Sequence, residues 1–191
     1  YTWPIWKAFC DKYGCMIVAH VSKFEQSVHL DDMRRSPYVR FVEPIETKWA
    51  STSVIKCTAS VFEEAFRQPV ASFCAIITQD TVPLRSYHWM QRSMHKRDKT
   101  MFQSVRDIGN IQINGKSTKV LASKMEMVMS RVDFAKIRAY VAQVEEIHQL
   151  VAAHGDGLGV DQVFWVTVAN MVGCDFARGH YMYSDWVPPY I

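Results

Sequence analysis

No apolar run in this 191-residue chain approaches the ~18 residues that cross a membrane, so no transmembrane helix is expected. Neither sign of charge dominates. The 22 Lys and Arg stand against 19 Asp and Glu, and a net +3 is too balanced to draw nucleic acid or an anionic membrane surface by bulk charge. With 8 Gly and 7 Pro there is too little of either for a collagen-like or low-complexity chain. The five cysteines (Cys10, Cys15, Cys57, Cys74, Cys174) are odd in number and lack C-x-x-C spacing, which argues against a zinc framework. Cys57 and Cys74 lie in apolar runs and read as buried free thiols. Cys10 and Cys15 could pair, but free thiols are again the favoured reading. Free thiols favour a reducing compartment, and therefore the cytoplasm for this chain. Familiar sites are missing too: G-x-G-x-x-G after a strand, a Walker A loop, H-E-x-x-H and the G-x-S-x-G elbow.

What is present describes a folded domain. Hydrophobic residues make up 49% and charged residues 21%, which excludes a disordered tail or a coiled coil. This length predicts one domain that buries roughly 70% of its unfolded surface. The chain starts at Tyr1 rather than Met, and core-like residues (Trp3, Ile5, Trp6) follow at once with no signal-peptide pattern. We therefore expect it to be cut from something longer.

Along the chain, residues 5–13 read as a short helix stopped by Gly14. Residues 16–21 (MIVAHV) and 72–78 (SFCAIIT) are continuous apolar runs of strand length, the mark of strands covered on both faces. Residues 39–42 and 124–129 read as further strands, as do 181–184. Residues 51–66 place Val54, Ile55, Ala59, Phe62 and Phe66 on one helical face. A helix is expected over 86–96. A long polar loop without clear period follows, from His95 to about Lys119. Asp133 should cap a helix running to about Ala153, with Phe134, Ile137, Val141, Val144, Ile147, His148 and Val151 on its buried stripe. The HGDGLG segment (154–159) reads as a helix stop and hinge, and 160–171 as a helix. Strands separated by helices predict an α/β fold with a mostly parallel central sheet, flanked by helices in a single domain.

Ligands of such sheets bind at the carboxyl ends of the strands. That directs attention to His20, to Thr78-Gln79-Asp80 and to Asp185-Trp186. The Asp31-Asp32 pair could hold a metal, but a solvated turn is the favoured reading. Basic residues of the 85–99 stretch (Arg85, Arg92, Lys96, Arg97, Lys99) interleave with Tyr87, His88 and Trp89, a pattern nucleic-acid binders share. The overall charge argues against that partner.

Six blocks in order carry a family resemblance over about residues 3–186. Trp6-Lys7-Ala8-Phe9 followed by Ile17-Val18-Ala19-His20 is similar to a W-x-x-F helix and a Y-x-I-x-V-H strand. Val42 through Trp49-Ala50-Ser51-Thr52-Ser53 resembles V-x-W-G-x-x-S, and Phe73 to Leu84 resembles F-V-L-L-S-x-D/E-x-x-P-L. Ser123 to Arg131, Val160-Asp161-Gln162-Val163-Phe164 and Tyr183-Ser184-Asp185-Trp186 are similar to G-S-Q-W-F-x-L-S-R, P-D-E-x-Y-F-x-T and T-Y-V-D-W. Together these blocks resemble the core-2/I-branching glycosyltransferases, particularly their plant and microbial relatives.

The resemblance implies a GT-A-like fold trimmed at both ends. It implies transfer of a hexosyl or pentosyl group from a nucleotide sugar, UDP-linked, to a hydroxyl of a glycan or glycoprotein, with inversion. It implies no cofactor and no divalent metal. It also implies the Golgi lumen as location if an N-terminal anchor precedes Tyr1. Inverting transfer needs a base for the acceptor hydroxyl and positive charge for the departing diphosphate. The family's base is the Glu of Pro-Asp-Glu, which here is Gln162, an amide that accepts no proton at neutral pH. Asp161 beside it is the first candidate base and Asp80 the second. Asp161 also sits where a helix N-cap would. His20, Thr78, Gln79, Lys124 and Arg131 are candidates for the donor, with Arg85 and Lys119 as further phosphate contacts; the four basic residues also read as solvated surface charges, and Arg131 as a structural partner at the start of its helix. Trp49, Gln162, Asp185 and Trp186 are candidates for the acceptor, the indoles as platforms for a sugar's apolar face, while Trp49 just ahead of a helix reads equally as core packing. Glu126 stands at roughly the aromatic position of G-S-Q-W. The family's first strand, which helps hold the uridine, would lie before Tyr1, and its basic segment after Ile191. Gln162 and those trimmed ends keep a second expectation open: a catalytically silent homologue that binds carbohydrate or nucleotide.

Overall fold

Pro4 sits in the first turn of helix α1 (Trp3–Tyr13), where its missing N–H costs nothing. Gly14 ends the helix in the left-handed conformation (φ 65°) as its N–H returns to the Cys10 carbonyl at 2.7 Å. The computed structural model describes residues 2–21, 29–77, 83, 88, 92, 99–113, 115–152 and 158–178. Strand β1 (Ile17–Ala19) pairs in parallel with β2 (Val39–Phe41), Ile17 opposite Val39 and Ala19 opposite Phe41. Between them lies helix α2 (Leu30–Arg35). Trp3 Nε1 donates to Asp32 Oδ2 at 2.6 Å, which ties α1 to α2 and gives Asp32 a structural partner.

Helix α3 (Thr52–Phe66) buries Ile55, Ala59, Phe62 and Phe66, the face its periodicity predicts; Val54 lies at the margin of that face. A second sheet has the order β3 (Phe73–Ala75), β7 (Met127–Ser130), β4 (Met101–Phe102), β8 (Ala177–Arg178). Its central strand β7 is antiparallel to both neighbours, and only β4–β8 is parallel. A third sheet is the hairpin of β5 (Arg106–Ile113) and β6 (Lys116–Ala122). Helix α4 (Arg131–Ile137), a 3-10 segment (Arg138–Gln143), α5 (Val144–Ala152) and α6 (Val160–Met171) complete the described elements.

The chain is therefore a mixed α/β fold, with three corrections. The described strands form three small sheets, parallel only at β1–β2 and β4–β8, where one mostly parallel sheet was expected. The expected polar loop to Lys119 instead contains β5 and much of β6. A two-residue connection can join only antiparallel strands, and β5 and β6 pair with each other in a separate sheet. The helix expected from Asp133 to Ala153 is broken by the 3-10 segment, and its N-cap is Ser130, whose Oγ accepts the Asp133 N–H at 3.1 Å. The strand expected at 181–184 lies outside the described residues, as does most of the helix over 86–96, of which His88 and Arg92 are helical.

The core lies between α3, the β5–β6 hairpin, β7 and helices α4–α6. Phe62 meets Trp165 edge-on at 5.4 Å and Phe134 at 5.3 Å between ring centres, and Trp165 meets Phe164 edge-on at 5.2 Å. Helix α6 is buried almost all round, from Val163 to Ala169. Thr167 Oγ1 accepts the Leu121 N–H (3.0 Å) and donates to the Leu121 carbonyl (2.9 Å), so the helix satisfies the strand edge it covers.

A second polar knot joins β4, β7 and α4. Buried Asp133 accepts from Thr100 Oγ1 at 2.6 Å and from Ser130 Oγ at 2.9 Å. Burial pushes the Asp133 carboxyl up, but the Thr100 and Ser130 hydroxyls outweigh it and hold it below the usual carboxylate range. A lowered folded pKa contributes stability above the unfolded value, ~3.9, and loses it as pH falls through the folded value. Asp133→Asn should therefore cost about 1.5–3 kcal/mol at pH 7 in urea unfolding, and the gap from wild type should shrink as pH falls below ~4.

Candidate functional site

Gly159 is the N-cap of α6, and its carbonyl accepts the Gln162 N–H at 3.0 Å. Asp161 is thus inside the first helical turn, not at the N-cap position. Its carboxylate folds back over Gly159: a Cβ at 159 would stand 2.4 Å from Asp161 Oδ1 and 3.2 Å from the Ala50 Cβ. Ala50 in turn holds φ 56°, a left-handed conformation that costs an L-residue roughly 1–2 kcal/mol. The Asp161 carboxylate, the bare Cα of Gly159 and the strained Ala50 therefore form one contact.

The turn carrying Ala50 is built from short polar side chains. Ser51 Oγ donates to the Lys48 carbonyl at 2.8 Å and lies 2.6 Å from Ser53 Oγ, which accepts the Lys48 N–H at 3.0 Å. This turn leaves Trp49 92% exposed, so the indole is a surface platform and not part of the core. At the start of α3, Thr52 Oγ1 and Lys56 Nζ both donate to Glu145 Oε1 at 2.7 Å, which fastens the turn to α5. The Lys56 ammonium and then the Thr52 hydroxyl hold the Glu145 carboxyl below its usual range.

Lys124 arrives at the same end of α6 through the backbone. The Ser123 N–H donates to the Gln162 carbonyl at 2.7 Å, and the Lys124 N–H donates to the Gln103 carbonyl at 2.9 Å. The structure thus brings Ala50, next to Trp49, and Ser123, next to Lys124, to the first turn of α6, where Asp161 and Gln162 lie. His20 lies at the end of β1, where its Nε2 accepts the Ile45 N–H at 2.9 Å. The neutral ring then carries its proton on Nδ1.

Arg131 is elsewhere. Its Nε and Nη2 donate to the Ala71 carbonyl at 3.0 and 2.7 Å, and Nη1 and Nη2 reach the Phe66 and Gln68 carbonyls. The guanidinium closes the C-terminal end of α3, where free carbonyls need donors. Fifteen residues of helix separate that end from the Ala50 turn, roughly 20 Å. A cleft of about 480 Å³ opens beside Arg131, lined by Ser72, Phe73, Val132 and Lys136 among others. Its lysines are ion-paired: Lys99 with Asp175, and Lys136 with Asp133 at 3.7 Å. Lys119 is paired with Asp107 at 2.7 Å on the hairpin. Thr78, Gln79, Asp80, Arg85, Asp185 and Trp186 lie outside the described residues. Among the described residues no three His, Cys, Asp or Glu side chains converge as metal ligands. No described helix is long and apolar enough to cross a membrane.

The electrostatics single out Asp161. Burial raises its carboxyl above the usual aspartate range, while the N–H groups of Asp161 and Gln162 pull the other way without cancelling the shift. Raised basicity suits a proton acceptor near neutral pH. Asp161 is a candidate in the sequence, whereas its two neighbours are not. Neither Gly159 nor Ala50 carries a chemical group, and only the fold brings them together. Compared with known proteins, the chain matches no protein-family model and no curated protein.

Two outcomes follow for stability. Ala50→Gly should stabilise by about 1 kcal/mol in thermal or urea unfolding, because glycine holds this φ without strain. A raised folded pKa contributes stability below the unfolded value and loses it as pH rises through the folded one. Asp161→Asn should therefore melt higher than wild type at pH 7, with the difference vanishing below pH ~3.9.

Proposed function

We propose that the chain is an inverting glycosyltransferase domain of GT-A-like fold that takes a nucleotide sugar, UDP-linked, and glycosylates a hydroxyl of a glycan or glycoprotein. The observation that carries this reading is the placing of Asp161. It is a half-buried carboxylate of raised basicity in the first turn of α6, beside the Trp49–Ala50 turn and at the end of the hairpin that delivers Lys124. The resembled motif has glycine where Ala50 stands, and φ 56° is a conformation glycine favours.

In this reading Asp161 accepts the acceptor hydroxyl's proton as that oxygen attacks the anomeric carbon. The bond to the diphosphate breaks on the opposite face, which inverts the centre. Lys124 supplies positive charge for the departing diphosphate, since the Arg131 donors are taken up by carbonyls at the far end of α3. The exposed Trp49 indole offers a sugar an apolar face to stack on. Asp80 is the second candidate base. No cofactor or divalent ion is assigned a step.

Gln162 favours a second reading, a silent homologue that binds carbohydrate or nucleotide. Its amide stands where the resembled family has its carboxylate, and an amide takes no proton. Incubation with a panel of UDP-sugars and acceptor glycans, read as UDP release, separates the two. Under the first reading wild type turns over and Asp161→Asn loses about 10²–10⁴-fold. A thermal shift with UDP or oligosaccharide, with no turnover, supports the second. In that case Gln162→Glu should introduce turnover if the missing carboxylate is the defect. No turnover and no thermal shift with any ligand would count against both.

A further inference from the structure

Cys10 and Cys15 are brought together by the way α1 ends. Gly14 in the left-handed conformation folds the chain back on the last turn, the geometry that sets the residue after such a glycine against the helix it has just left. The two sulfurs lie 2.8 Å apart, wider than the ~2.05 Å of a disulfide, and both cysteines are free thiols. Their exposures differ. Cys10 is completely buried on α1, while Cys15 is partly open to solvent just ahead of β1.

We propose that Cys10 and Cys15 form a redox site, an accessible attacking thiol backed by a buried resolving thiol, which closes to an intrachain disulfide in the presence of a low-molecular-weight disulfide. Cys15 is the attacking partner because it alone of the pair is reachable from solvent. The Cys10 sulfur lies within hydrogen-bond reach of the Cys15 sulfur, and with the proton on Cys10 that contact lowers the Cys15 pKa, favouring the nucleophilic thiolate. The other three thiols contrast with it. Burial pushes Cys57 up to about 11 and Cys74 up to about 12, and burial followed by the neighbouring Asp133 pushes Cys174 up to about 12.

The chemistry balances. The Cys15 thiolate attacks one sulfur of oxidised glutathione, the S–S bond breaks, and one glutathione thiolate leaves and takes up the proton Cys15 lost. The Cys10 sulfur then attacks Cys15 of the mixed disulfide and expels the second glutathione, which takes up the Cys10 proton. Two protein thiols are oxidised and one disulfide is reduced to two thiols. The product ties the end of α1 to the start of β1.

The test is to equilibrate the purified chain with oxidised glutathione, then count free thiols and measure intact and peptide masses. Thiols should fall from five to three, the mass should drop by two hydrogens, and one peptide should link Cys10 to Cys15. Reduction should restore all five. Cys10→Ser should stop at a glutathione adduct on Cys15, because the resolving thiol is gone. Cys15→Ser should keep its four remaining thiols. These intermediates distinguish the site from a pair that merely touches. Five surviving thiols in wild type, a linkage through Cys57, Cys74 or Cys174, a disulfide between two chains, or a glutathione adduct on Cys10 in Cys15→Ser would each overturn the proposal. The wild-type linkage map stands by itself should either serine variant fail to fold.

Discussion

Much of the structure depends on how β6 meets α6. A strand edge presents unpaired N–H and C=O groups, and burying one without partners costs about 1–3 kcal/mol per group. Thr167 answers both groups of Leu121 with one hydroxyl, in the middle of a helix otherwise packed with Val, Phe and Trp. That exchange lets an almost wholly buried helix lie directly on the hairpin. Further along the same seam, the Ser123 N–H meets the Gln162 carbonyl in the first turn of α6. The strand's end and the helix's start therefore coincide in space, and backbone hydrogen bonds bring Lys124 to this end of the helix. The aromatic contacts of Trp165 with Phe62 then carry this seam to α3, whose N-terminal turn is the Ala50 side of the site.

Features that repeat within a few residues were legible in the sequence. Pro4 and Gly14 bracket α1, and the 3.6-residue rhythm of Ile55, Ala59, Phe62 and Phe66 marks the buried face of α3. Pairing between distant strands was not, because β1, β2 and β3 are each only three residues long. Three residues show neither alternation nor direction. The hairpin did leave a signal. Asn114-Gly115 lies between the alternating Ile111–Ile113 and the apolar Val120-Leu121-Ala122, and Asn-Gly is the strongest two-residue hairpin mark. The basic cluster just before it makes the whole stretch look like loop. Ser130 shows the same limit on a smaller scale: Ser and Asp three residues apart both look like caps, and only the hydrogen bond from the Asp133 N–H decides.

The candidate site divides along the same line. Asp161, Gln162, Lys124 and Trp49 stood out as chemical groups, yet nothing local indicates that they share one end of a helix. Arg131 shows the converse. A basic residue after a strand suits an anion equally well, but here the carbonyls at the end of α3 are its acceptors, and an arginine fork meets several carbonyls where a lysine would meet one. Positive charge counted from a sequence therefore overstates what remains for a ligand. Lys119 and Lys136 are likewise engaged with aspartates.

Two unfavourable features sit side by side here, a left-handed alanine and a desolvated carboxylate. Either alone is an ordinary defect. Their contact through Gly159 makes them one arrangement: straightening the turn at Ala50 would move the surface against which the carboxylate lies, and a side chain at 159 would expel the carboxylate from it. Such costs persist only where the surroundings over-determine the geometry. The surroundings do so from both sides, with Glu145 fastening the start of α3 to α5 and Thr167 fastening α6 to β6. A carboxylate held this way has lost solvation in the folded chain itself, and its basicity is set by the packing around it.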